Sequence, residues 1–288
     1  MPLSLTQGVR RPGRAVPFLP SVQAPAVPMR SRIANYRSLS RLQAAAIHLA
    51  ASVFGTGMVA LLTLLVWYPG ELAQLGGVLH ILMLVVVVDV VLGPVITFIV
   101  FDTRKPELAR DLLIVAALQL AALGYGAQTV FAGRPVYLAF NAERLDLVYA
   151  PDIAKENLAR GEVSGHGRLP LFGPKLVAAV MPADPAAAAK VVTDALRGGD
   201  DIQYLPEHYR PIESQKQSLL AALRPLESLK AANPKSTAEV DTLLRDAAAR
   251  PAGAGYLPLV SSGDAAVAVF DRASAELLDI RLLRSGAK

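Results

Sequence analysis

The sequence predicts a membrane protein in which a three-helix transmembrane bundle (residues 42–132) is followed by an α+β domain (133–288), with a basic tail (1–41) ahead of both. Two observations carry that reading. Before Gly133 the apolar residues stand in long runs almost free of charge, whereas after it they alternate and mix with charges, so the two parts suit different solvents. The basic residues outside the runs are also unevenly placed, which orients the spans.

The first span is Gln43–Trp67, with no charge in it; at about 1.5 Å per residue it exceeds the ~30 Å hydrocarbon core. It is also longer than the apolar core of a cleaved signal peptide, about 7–15 residues. The second span, Leu75–Phe101, contains one charge, Asp89, and the third is Leu112–Ala132. Trp67, Tyr68 and Phe131 fall where interfacial aromatic anchors are expected.

Of 288 residues, 53% are hydrophobic and 18% charged, and the net charge is +5. The pI of about 9.5 is not a nucleic-acid signal. Residues 1–41 hold seven arginines (Arg10, Arg11, Arg14, Arg30, Arg32, Arg37, Arg41) and no acid, while residues 132–288 carry 19 basic and 19 acidic residues. The surplus therefore reports topology. Arg104, Lys105 and Arg110 lie in the loop after span two, and the loop after span one has no basic residue, so the N-terminus and the second loop are expected in the cytoplasm. Three crossings then put residues 133–288 in the periplasm of a two-membrane bacterium, with the spans in its inner membrane. Residues 1–28 are rich in Pro and Arg and lack periodicity; a disordered tail or a translation start at Met29 accounts equally for them.

After Arg134-Pro135 the alternation Val136–Phe140 and Arg144–Tyr149 reads as a β-hairpin. A short helix to about Arg160 and a strand over Lys175–Met181 follow. Asp184-Pro185, an Ala-rich run and Gly198-Gly199 supply the cap, first-turn proline and glycine stop of a helix. Helical pattern covers Ile212–Leu223 and resumes at Ser236-Thr237-Ala238-Glu239, which fits a capping box. Three strands close the chain, Tyr256–Val260, Ala266–Asp271 and Leu277–Leu283, and the first and last strand segments are expected to pair.

No cysteine is present, which excludes disulfides, thiolate metal sites and thiol nucleophiles. The four histidines lack paired zinc spacing: His48 and His80 belong to spans, His166 sits in a glycine-rich turn, and His208 stands alone. Gly198-Gly199-Asp200-Asp201 reads as a helix C-cap rather than a metal loop. No Walker loop, nucleophile elbow or dinucleotide fingerprint occurs, so no catalytic, cofactor or metal residue is assigned. Tyr204–Pro211, with Tyr204, His208 and Tyr209, suits either a stiff contact loop or a loop packed on the domain.

Asp89 is the outlier, because a carboxylate in mid-span costs at least ~2.5 kcal/mol. Gly93-Pro94 follows one turn later, where Pro94 frees a carbonyl and Gly93 allows close helix approach. Counted from the cytoplasmic ends, Thr56 and Tyr125 lie level with Asp89 and are its expected hydrogen-bond partners. The patch Asp89, Gly93, Pro94, Thr56 and Tyr125 is either a structural clamp or a site for another membrane helix.

The segments Asp89-Val90-Val91-Leu92-Gly93-Pro94, Thr97–Phe101, Leu118–Gly126 and Arg134–Asn141 together resemble the type IV pilin accessory proteins of the TfpX/TfpZ type, FimB-like fimbrial assembly proteins. The resemblance runs from Trp67 to Asn141 and is carried beyond that by layout and a C-terminal strand pair. It implies a non-catalytic inner-membrane helper whose partners are its cognate major pilin and other assembly components, and which assists pilin in stability or assembly. It offers no active site to carry over. With Arg134, Tyr137 and Asn141 added from the resemblance, the candidate partner-contact residues are Arg134, Tyr137, Asn141, Tyr204, His208 and Tyr209. The competing class is a membrane-anchored periplasmic enzyme acting on pilin or a surface polymer.

Overall fold

The computed structural model describes residues 39–250, 252–261 and 265–284. The tail expected over residues 1–28 lies outside them. Among the described residues three helices are long and apolar enough to cross a membrane: Arg41–Trp67, Val78–Val100 and Leu108–Ala132. A reciprocal capping box starts the first, with Ser40 Oγ accepting from Gln43 N at 3.2 Å and Gln43 Oε1 from Ser40 N at 2.9 Å. The second span begins at Val78 rather than Leu75 because Gly76-Gly77 breaks the helix. Gly77 is left-handed (φ 64°), and a Cβ on Gly76 would lie 2.7 Å from the Tyr68 ring.

Among the described residues eight strands follow: β1 (Pro135–Asn141), β2 (Arg144–Tyr149), β3 (Lys175–Ala179), β4 (Tyr209–Pro211), β5 (Arg224–Pro225), β6 (Ala254–Val260), β7 (Ala266–Asp271) and β8 (Leu277–Arg281). Their order is β4-β3-β1-β2-β6-β7-β8, with β5 also paired to β6. The predicted hairpin forms, but the first and last strands do not pair. β1 is flanked by antiparallel β2 and parallel β3, and β8 lies at the edge beside β7. The chain returns instead through β6, which runs parallel to β2.

Strand alternation sorts side chains between two covered faces. Leu138, Phe140, Leu145, Leu147, Leu257 and Phe270 share a core with Tyr68, Leu72, Leu75, Val78 and Val130, so the sheet rests on the ends of the spans and the segment joining the first two. Ser40–Lys288 accordingly forms one compact unit. On the other face Val136, Tyr137, Ala139 and Val177 pack with Ile202 and Tyr209, while Val267, Val269 and Tyr256 pack with Leu229, Val240 and Leu243.

The helix Pro185–Leu196 carries its expected signals: Asp184 accepts from Ala187 N at 2.8 Å, and past left-handed Gly198 the Gly199 N donates to Asp194 O at 2.9 Å. The helix Thr237–Ala248 forms without its predicted capping box. Ser236 sits at φ −116°, ψ 31°, outside the extended conformation that aims an N-cap oxygen at the helix amides, and its side chain caps nothing.

Between β7 and β8 the Asp271 carboxylate accepts from Ala273 N at 2.7 Å and Ser274 N at 2.9 Å, and these bonds hold its pKa below the ordinary value. A depressed folded-state pKa contributes stability at pH values above the unfolded-state pKa and loses it as the pH falls through the folded one. Asp271→Asn should therefore melt earlier at neutral pH, and the deficit should shrink below about pH 4. A deficit independent of pH in thermal melts would contradict this assignment.

Candidate intramembrane site

The second span shifts from α to π hydrogen bonding over Val87–Leu92, centred on Asp89. Pro94 cannot donate to the carbonyl four residues back, and its ring crowds that carbonyl, so the turn before it widens by one residue. Gly93 N now reaches Val88 O, which also accepts from Gln119 Nε2 of the third span at 3.3 Å. A Cβ on Gly93 would lie 2.0 Å from Gln119 Nε2 and would push that amide off Val88 O.

Leu82, Val85, Asp89, Gly93 and Thr97 form the buried stripe of this span, and Thr56 of the first span is buried as well. Both carboxylate oxygens of Asp89 and the hydroxyl of Thr56 are sealed from solvent and without a hydrogen-bond partner. The expected Asp89–Thr56–Tyr125 bonding is thus not made. Tyr125 is 74% exposed on the outer side of its helix, because it follows Gly124 and precedes Gly126 by one residue, about 100° of rotation, and Gly126 is the position that meets Val85.

The residues that do bond across the bundle are others. His48 Nδ1 lies 2.5 Å from Thr97 Oγ1, and His48 Nε2 bonds Gln119 Oε1, linking all three spans. Their legible signal was polarity inside apolar runs, the property that singled out Asp89.

In the α+β domain, three of the candidate contact residues prove to be internal. Tyr137 and Tyr209 are each 1% exposed, with rings 4.9 Å apart edge to face and His166 packed against both. Burial raises the pKa of both phenols, that of Tyr137 to about 12. Arg134 is also buried: its guanidinium lies 3.8 Å over the Phe131 ring and donates to Phe131 O at 2.7 Å and twice to Pro170 O, at 2.8 and 3.1 Å. That burial lowers its pKa. Asn141, Tyr204 and His208 are half-buried and remain accessible. His208 lines a cavity of about 750 Å³ with Arg160, Lys190, Arg197, Asp194 and Glu207, and burial lowers its pKa. Four of the charges lining this cavity pair: Arg160 bonds Glu207 at 2.7 Å and Lys190 bonds Asp194 at 2.5 Å. Asp200 receives Asn157 Nδ2 at 2.6 Å, and Asp201 caps the turn at Ile202.

The family model for the fimbrial assembly protein FimB matches residues 36–77. The fimbrial assembly protein of serogroup I from Dichelobacter nodosus is 28% identical over 229 residues, covering 78% of this chain and 88% of that protein. Its serogroup E1 counterpart aligns with the same identity and coverage. The protein of serogroups C1 and C2 is 28% identical over 124 residues, 42% of this chain and 95% of its own. No solved structure matches. The chain is thus similar to the FimB-like fimbrial assembly proteins, as the motifs around Asp89 and Arg134 led one to expect.

Proposed function

We propose that this chain is a non-catalytic inner-membrane accessory protein of type IV pilus assembly, holding its cognate pilin through both its spans and its periplasmic domain. The observation that carries the reading is similarity along 78% of the chain to proteins named for fimbrial assembly. The layout supports it, because an unassembled pilin has an apolar helix and a globular head, and a bundle fused to a domain offers a surface to each. Asp89 is buried within the bundle, so in this reading the spans part to admit the pilin helix to its unpartnered carboxylate on the widened turn. The accessible Asn141, Tyr204 and His208 are its counterparts on the domain. Arg41, Arg104, Lys105 and Arg110 at one end of the bundle support a cytoplasmic N-terminus.

Deletion of the gene should reduce surface pili while leaving pilin transcript unchanged. Photocrosslinkers at Asp89, Asn141 and His208 in a piliated strain should capture pilin. Capture from neither compartment would remove the accessory reading and favour the enzyme alternative. Alkaline-phosphatase fusions should be active after Ala150 and silent after Lys105; the reverse pattern would invert the topology.

A further inference from the structure

The loop from Arg168 to Lys175 reads Arg-Leu-Pro-Leu-Phe-Gly-Pro-Lys, a short apolar stretch between two cations with no acid. Its tip is turned outward: Leu171 is 58% exposed and Phe172 74%, the latter among the most exposed large apolar side chains beyond the spans. Its backbone is pinned to the sheet end of the bundle. Trp67 Nε1, at the end of the first span, donates to Leu171 O at 3.0 Å, and Arg134, just past the third, donates to Pro170 O. Gly173, left-handed at φ 48°, lies so close that a Cβ would sit 3.4 Å from Val66 O. The Trp67 and Phe131 rings, 5.1 Å apart, mark this level as the aromatic belt of a membrane interface.

We propose that Leu171 and Phe172 dip into the lipid leaflet at the sheet end of the spans, with Arg168 and Lys175 reaching headgroup phosphates. An apolar tip fixed at interfacial depth gains free energy from acyl chains and loses it in water. Flanking cations suit anionic headgroups, and both cations are exposed. The occupant follows from continuity, since the loop bonds to the residue at which the first span leaves the membrane. Pro170 and Pro174 restrict the backbone, so the tip is held out rather than folded onto the sheet. The domain would then rest on the bilayer at a second point, independently of any pilin contact.

The chain has no cysteine, so single-cysteine variants of the full-length protein can carry an environment-sensitive fluorophore. In vesicles of phosphatidylethanolamine and phosphatidylglycerol, labels at Leu171→Cys and Phe172→Cys should be quenched by acyl-chain nitroxide lipids severalfold more than a label at Val163→Cys, which is 95% exposed. Aqueous iodide should show the opposite order. The Leu171 variant keeps Phe172, so loss of one apolar side chain does not decide the result. Iodide access at both sites equal to that at Val163 would overturn the proposal. So would burial of the labels only after pilin is added, which would give the tip to a protein partner.

Discussion

Asp89→Leu should yield a protein that unfolds later in detergent and assembles few or no pili. The two effects have one source. A buried carboxyl group whose oxygens find no partner costs about 1–3 kcal/mol relative to a satisfied or apolar group, and mid-membrane placement adds to that. Leucine removes the cost, so the bundle should gain roughly 2 kcal/mol, less any strain from the larger side chain. It also removes the polar group on the buried stripe to which the membrane contact with pilin is assigned. Asp89→Asn keeps a donor and an acceptor and should retain more piliation than leucine, without the gain in stability. Normal piliation of the leucine variant would make Asp89 a structural residue only.

Arg134→Met should loosen the joint between the third span and the sheet by about 2–4 kcal/mol. The guanidinium satisfies the carbonyls of Phe131 and Pro170, the latter doubly, and stacks on the Phe131 ring. Methionine fills part of the volume and leaves those carbonyls without their donor. Arg134→Lys should recover only part of the loss, because an ammonium cannot make the forked bond to Pro170. Limited proteolysis reads the effect, with cleavage at Gly133 or in the Pro170–Gly173 loop accelerated in the order Met, Lys, wild type. Equal rates for all three would show that the joint is held by the shared apolar core alone.

The spans, the first hairpin and the helix Pro185–Leu196 were legible because each is specified by local signals: run length, alternation and caps. The sheet order was not, because β2 and β6 are joined by a parallel ladder across more than a hundred residues, and no local pattern records it. The contact residues that prove internal have different grounds. Tyr137 follows from the resemblance alone, and Tyr209 from a cluster of aromatics and prolines that fits a packed loop as well as a contact loop; the two rings pack in one core cluster on a covered face of the sheet. The position of Tyr125 along its helix sets its depth but not its azimuth, and it faces outward. Asp89 was legible as an anomaly of polarity, and so were His48, Thr97 and Gln119, but which of these groups bond one another depends on how the spans pack, which no local pattern records.

The ladder between β2 and β6 consists of two residue pairs, Leu145↔Leu259 and Asp146↔Val260, with Tyr149 Oη and Ser261 Oγ 3.2 Å apart nearby. On either side the strands are joined far more extensively, β1 to β2 along the hairpin and β6 to β7 over six pairs. The sheet is therefore two cooperative blocks meeting at a seam. The block anchored to the third span can assemble while the later strands are still being synthesised, and the β6–β8 block docks afterwards. In the finished protein the same seam is where partial opening is cheapest, so amide hydrogens at Leu259 and Val260 should exchange through a sub-global event before those of Tyr137–Phe140 are released.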